Sequence, residues 1–396
     1  MGKPTIRFEG YTDDWEQRKL DDVVEFLDTM RKPLEGAKRI PGPYPYYGAS
    51  GIVDYVDGYL FDEELILLSE DGANITDRNY PVCFLASGKY WVNNHAHVLR
   101  TKQENENNFI CNSLERKDYT QYNTGMAMPK LNKETCKKIP ISCPGFEEQK
   151  KVGDYFRSLD HLITLHHRKC EETKKLKKFM LQKMFPKKGE KVPDIRFEGF
   201  TDDWEQRKLG DIADVTKLAG FEFTEHVVYS DEGNIIALRG LNIKNGRLVL
   251  EDVKYIDGSN FSKLNRSKLY VDDIMFTYVG TVGEVAIIKE NDRFYLAPNV
   301  SRIRVQSNDS PKYISHYMRT DSFYRHVIFP LIATSSQPAL SMENIRKFEI
   351  CLPQNREEQD RLSEYFDNLD HLITLHQHKC EELQNIKKFM LQNMFT

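Results

Sequence analysis

At 396 residues, 29% charged and 40% hydrophobic, the chain is too long for one typical domain and has the balance of an ordinary soluble protein of two to four. It has no run of about 18 apolar residues, so no membrane-spanning helix is predicted, and MGKPTIRFEG lacks the apolar stretch of a signal peptide. A net charge of −4 argues against a protein that holds nucleic acid by basic excess alone; such binding would need local patches or a partner bringing positive charge.

The first recognisable element is Ile6–Leu20 (IRFEGYTDDWEQRKL). Short β-rich runs such as Tyr59–Leu68 follow, punctuated by glycine turns at Gly48, Gly51, Gly58 and Gly72. Two loops place aromatics, amides and cations around such turns: PYPYYGAS, with Tyr46, Tyr47 and Ser50, and SGKYWVNNHAH, with Lys89, Tyr90, Trp91, Asn93, Asn94 and His95. From Glu147 to Phe185 apolar residues recur at alternating steps of four and three. Val152, Phe156, Leu159, Ile163, His166, Cys170 and Thr173 form a coiled-coil seam, which Leu176, Met180 and Met184 continue in a shifted register. A helix of that length reaches about 55–60 Å and needs a partner for its stripe. Pro186–Pro193 (PKKGEKVP) reads as a linker.

Ile195–Leu209 then repeats the first element with one change, Phe200 for Tyr11, 189 residues on. The second variable stretch offers turns at Gly280 and Gly283, and candidate contacts at Arg239, Asn242, Lys244, Tyr278, Thr281, Ser335, Ser336 and Gln337. Glu357–Phe395 repeats the long helix 210 residues on, sharing EEQ, YF, LDHLITLH, KCEE, KKFMLQ and MF; its seam is Leu362, Phe366, Leu369, Ile373, His376, Cys380 and Leu383, then Ile386, Met390 and Met394. The material between the copied ends is 21 residues longer in the second half and resists alignment. Between Glu147 and Lys188, 12 Lys/Arg face 6 Asp/Glu; between Glu357 and Thr396 the balance is 4 to 8. Opposite signs favour antiparallel pairing of the two helices within one chain, through Phe156, Leu159 and Ile163 on one and Phe366, Leu369 and Ile373 on the other.

The expected architecture is therefore mixed α/β (α+β), with two globular domains, two long antiparallel coiled-coil helices and an internal pseudo-twofold repeat. The boundaries fall at 1–146, 147–185, 186–193, 194–356 and 357–396. No constellation for catalysis is visible: no GxxxxGK[ST] loop, no GxGxxG, no GxSxG and no methyltransferase Asn/Asp-Pro-Pro-aromatic box. Asp252-Val253-Lys254 is at most a fragment of a nuclease triad, since the upstream aspartate is missing. His95 and His97 lack a third ligand, so no metal site is expected. Seven cysteines without a CxxC pair suit reduced thiols in a cytoplasm. These absences favour a binding protein. Asn and Gln pair bidentately with adenine, Arg and Lys with guanine, which makes the two sets of loops candidate base readers.

The frame resembles the specificity subunit of a type I DNA restriction–modification system. The likeness rests on the DDWEQRKL copies and the junctions Pro129–Gln149 (PKLNKETCKKIPISCPGFEEQ) and Pro338–Gln359 (PALSMENIRKFEICLPQNREEQ). The segments YYGASGIVDYV, LLSEDGAN, ASGKYWVNNHAHVL and DDIMFTYVGTVGEVAII add to it. The resemblance implies a cytoplasmic, non-catalytic subunit that reads a split sequence in double-stranded DNA, one half per domain, with the helices as ruler and as docking surface for two modification subunits. It implies that this chain binds no cofactor, that the modification subunits use S-adenosylmethionine to methylate adenine N6, and that two restriction subunits use ATP with Mg2+. Other classes compatible with the residues are an accessory of a fused type IIB or IIG enzyme, a coiled-coil scaffold, and a single-stranded RNA binder that stacks bases on its aromatics.

Overall fold

The computed structural model describes residues 3–332 and 338–395. The chain forms two compact units: Met1–Arg168 with His376–Thr396, and Lys169–Leu375. Each unit therefore holds one globular domain and a part of each long helix. The helices span Phe146–Lys183 and Arg356–Asn393, 38 residues each.

In the first unit, strand Glu16–Lys19 of the copied DDWEQRKL segment pairs antiparallel with Pro140–Cys143, just ahead of the long helix. A four-stranded antiparallel sheet follows the order Val24–Phe26, Ala96–Thr101, Leu65–Ser69, Cys83–Ala86. A second sheet runs Gly51–Val56, Pro41–Gly48, Lys89–Val92, Phe61–Asp62, with Pro41–Gly48 parallel to Lys89–Val92. The run Leu65–Leu68 is buried on both faces. Ile66 and Leu68 pack with Trp15, Phe109 and Phe156, whereas Leu65 and Leu67 pack with Phe61, Tyr90 and Val92. A strand sandwiched in this way carries no alternation for a sequence pattern to catch.

The second unit has the same plan although its sequence cannot be aligned with the first. Glu205–Lys208 pairs with Glu349–Leu352. The four-stranded sheet runs Ala213–Lys217, Val300–Val305, Ile274–Thr277, Val285–Ile287. The smaller sheet runs Lys254–Tyr255, Ile236–Leu238, Phe294–Leu296, again with one parallel pair. Ile274 and Phe276 face one core and Met275 the other, as in the first unit. An added hairpin, Ile243–Lys244 with Arg247–Leu248, turns through Asn245 and Gly246 at positive φ.

The copied residues meet one another in both units. Arg7 donates two hydrogen bonds to Glu148, at 2.7 and 2.8 Å, and Trp15 Nε1 reaches the same carboxylate at 3.4 Å. Arg196, Glu358 and Trp204 repeat this at 2.7, 2.8 and 3.3 Å. The neighbouring glutamine of each EEQ turns into its domain: Gln149 Oε1 accepts from Glu106 N, and Gln359 Oε1 from Ser310 N. The N-terminal segment also grips the far end of the other helix, through Ile6 N to Asn393 O in the first unit and Ile195 N to Lys183 O in the second, each 2.9 Å or less.

Within each unit the two helix segments run antiparallel. In the first, Lys387 meets Asp160 at 2.5 Å, Cys380 lies near Ile163 O, and His166 Nδ1 lies 3.0 Å from His376 Nδ1. In the second, Lys177 meets Asp370 at 2.5 Å and Cys170 lies near Ile373 O. Phe156, Leu159, Phe366, Leu369 and Ile373 are buried as expected, and Ile163 is half-buried. The expected seam position Leu176 is corrected: it is 45% exposed, and Lys177 takes the buried place beside Asp370. A straight helix drifts from a 3.5-residue seam, and after Thr173 the residue facing the partner is one further along. Met184 and Phe185 close the core of the second domain, Phe185 lying 5.5 Å from Phe366 and 5.6 Å from Tyr313. Met394 and Phe395 close that of the first, Phe395 lying 5.2 Å from Phe109 and 5.6 Å from Phe156.

Candidate nucleic-acid interface

Strands that end together bring their following loops together. In the first unit Glu70 N bonds His95 O at 2.9 Å, Leu131 N bonds Glu70 O at 2.7 Å, and Gly72 N bonds Pro129 O at 3.0 Å. Ser69 Oγ donates to Ala49 O at 2.5 Å, and Asn93 N to Tyr47 O at 3.0 Å. These bonds gather the hairpin tip 49–50, the turn 70–72, the turn 93–95 and the segment 129–131 at one end of the domain. Ser50, Asn94, His95, Met126, Met128 and Lys130 are exposed there.

Behind that end sits His97, fully buried, with Nδ1 2.8 Å from Asp28 and Nε2 2.7 Å from Leu131 O. Burial by itself would lower its pKa, but with an acceptor at each nitrogen the ring holds both protons, and the hydrogen bond to Asp28 leads the effects that raise it to about 10. His97 is thus a brace that pins the 129–131 segment. Among the described residues no group of three or more His, Cys, Asp or Glu could hold a metal.

The structure divides the first set of candidates. Ser50, Asn94 and His95 lie together and exposed, with His95 also paired to Asp71 at 2.8 Å. Tyr46, Tyr90 and Asn93 are buried, which corrects their reading as contact residues: their side chains build the loops instead. Tyr46 Oη accepts from Leu34 N, Tyr90 stacks on Phe61 at 5.6 Å, and Asn93 Oδ1 accepts from His95 N. Tyr47 is wedged between Phe84 and Tyr90, and Trp91 Nε1 donates to Lys32 O. Lys89 begins the strand that Val92 ends, so it lies about 13 Å from the Asn93 turn, over the Tyr59 ring.

The second unit builds the same end. Ala297 N bonds Leu238 O at 3.1 Å, Tyr278 N bonds Asn299 O at 3.2 Å, Gly280 N bonds Pro338 O at 2.9 Å, and Leu340 N bonds Tyr278 O at 2.9 Å. Thr281 and Asn299 are exposed at this end. Asn242 is fully buried, donating to Val249 O and Asp252 O, and is corrected to a structural role. Tyr278 is likewise buried. Arg239 is half-buried, and its Nη2 is held within the domain by Asp252 at 2.8 Å. Lys244 is exposed, but on the added hairpin, whose Asn245 is held by Glu284 and Arg319. Ser335, Ser336 and Gln337 lie outside the described residues.

Sequence reasoning missed Met126, Met128, Lys130 and Asn299. For the two methionines the available signal was position: 126–128 directly precedes the first Pro-to-EEQ junction, as Ser335–Gln337 precedes the second.

A family model described as the type I restriction modification DNA specificity domain matches residues 12–175 and again 201–385. The chain is 26% identical over 370 residues to S.HindORF215P of Haemophilus influenzae, named as a type I restriction enzyme specificity subunit, covering 92% of this chain and 90% of that protein. It is 23% identical over 408 residues to the MjaVIII specificity subunit of Methanocaldococcus jannaschii, covering 97% and 92%. Its fold matches the crystal structure of a type I restriction–modification S subunit from M. genitalium with a TM-score of 0.72, across 100% of this chain and 99% of that one, at 14% identity. Matched twice over, in the two halves that carry the copied frame, the chain belongs to the family of type I restriction modification DNA specificity domains.

Proposed function

We propose that this chain is the non-catalytic DNA-reading subunit of a type I restriction–modification complex, each domain recognising one half of a split target. The observation that carries this reading is that one topology occurs twice, with the same loops gathered at the same end, on a copied frame but with different residues at the tips. Equal scaffolds with unequal tips suit two different base sequences. The copied frame suits two equivalent partners: modification subunits that bring S-adenosylmethionine and methylate adenine N6. Restriction subunits would bring ATP and Mg2+. Base edges in the major groove carry the discrimination, and backbone contacts shared with the partners set the register.

The test is methylome sequencing of a host devoid of other methyltransferases that expresses this chain with modification subunits. A split motif carrying N6-methyladenine in both halves is expected. A continuous motif, or a stable complex that leaves the DNA unmethylated, refutes the reading. Asn94→Ala and Thr281→Ala should each lower the cognate-to-random affinity ratio by about tenfold, and alter different halves of the motif.

A further inference from the structure

Met126 and Met128 are displayed on a loop that the domain builds with care. Asn123 Oδ1 accepts from both Gly125 N and Lys130 N at 2.9 Å, and Thr124 N bonds Lys130 O at 2.8 Å. Gly125 is required: a Cβ there would lie 1.8 Å from Met128 O. The loop is tied to the reading end through Gly72 N to Pro129 O and the bridge between Asp71 and Lys130. Yet Met126 is fully exposed and Met128 59% exposed.

Two occupants could cover them, a protein partner or the DNA, and the internal repeat separates these. Segments that serve equivalent partners in both halves are copied nearly unchanged, as DDWEQRKL and LDHLITLH are. This segment is not copied: the four residues before Pro129 read Gly-Met-Ala-Met, whereas those before Pro338 read Thr-Ser-Ser-Gln and are all polar. A segment that changes with the target belongs to the DNA. Thioether side chains offer no hydrogen-bond donor, so what they can distinguish on a base edge is the apolar 5-methyl group of thymine in the major groove.

Resting on the DNA-reading function above, we propose that the 123–130 loop is a base-reading element of the first domain, with Met126 and Met128 packing on thymine methyl groups of its half-site. The experiment selects duplexes from a randomised library with the full chain in complex with its modification subunits, comparing wild type with M126S/M128S and with Gly125→Ala. Both methionines being exposed, the double variant should melt like wild type. It should lose thymine preference at one or two positions of one half-site and keep the other half intact, and Gly125→Ala should do the same by distorting the loop. Replacing those thymines by uracil should weaken wild type by roughly fourfold per methyl and leave M126S/M128S indifferent. An unchanged motif in the double variant, or equal uracil sensitivity in both proteins, overturns the proposal. Enrichment of no motif by wild type overturns the DNA-reading function itself, and this loop's role with it.

Discussion

Replacing Arg7 by methionine removes the partner of a carboxylate that has nowhere else to turn. Glu148 is 3% exposed and Arg7 13% exposed, and without the guanidinium the side-chain donor left beside the charge, among the described residues, is Trp15 Nε1 at 3.4 Å. Breaking a buried pair from one side costs about 3–5 kcal/mol, whereas replacing both partners by apolar residues is close to neutral. A double-mutant cycle of Arg7→Met and Glu148→Leu should therefore show each single variant strongly destabilised and the double variant largely restored, with a coupling of at least about 2 kcal/mol. Urea titration followed by tryptophan fluorescence is the assay, since Trp15 lies against the pair. The matched cycle at Arg196 and Glu358, beside Trp204, should give the same coupling, because its distances agree within 0.1 Å. If Arg7→Met costs less than about 1 kcal/mol, as a solvated surface pair would, or if the single effects simply add, the clamp does not hold the copied segments together.

The pH dependence should carry the mark of His97. Its folded pKa of about 10 lies above the unfolded value, so its contribution is complete below about pH 6.5 and is lost as pH rises towards 10, at most about 5 kcal/mol. His97→Gln should flatten that limb of the stability profile, and an unchanged slope would show that the ring is neutral in the fold. Asp370 serves both Arg319, at 3.2 Å, and Lys177, so Asp370→Asn strands two cations and should cost about 3 kcal/mol or more, while Lys177→Met should cost less than half as much; equal urea midpoints would contradict this. Phe395→Ala should destabilise the first domain by about 3–5 kcal/mol and leave amide exchange in the second domain's sheets unaltered.

The long helices and their antiparallel partners were legible because periodicity and duplication both reported them. The choice between Leu176 and Lys177 was not, because a methylene-rich lysine fits an apolar stripe once an aspartate waits across it. The common topology of the two domains was hidden for a different reason. Strands such as Leu65–Ser69 and Ile274–Thr277 are buried on both faces, and their partners are fixed by contacts distant in sequence. At the end of each domain where the loops gather, Ser50, Asn94 and Thr281 are exposed. Tyr46, Tyr90, Asn93 and Asn242 are not, since residue type alone cannot say which side chains of a strand or turn point into the core. Met126 and Met128 were not legible, because methionine lacks the hydrogen-bond donors that single out Asn, Gln, Arg and Lys.

That Phe395 lies 6.4 Å from Trp15 has a consequence for biosynthesis. The domain that leaves the ribosome first is the last to be finished: its core waits for residues at the opposite end of the chain. At about 5–20 residues per second, the stretch from Phe185 to Phe395 takes on the order of 10–40 s to translate. During that interval Met184–Phe185 offers the same Met-Phe pair, although on a helix of opposite charge balance that suits the vacant place less well. A rigid helix cannot bend back to fill its own start, but one on a neighbouring nascent chain can. Polysomes crowded with this message should therefore yield chain-exchanged dimers, and slow initiation, which spaces the ribosomes, should suppress them.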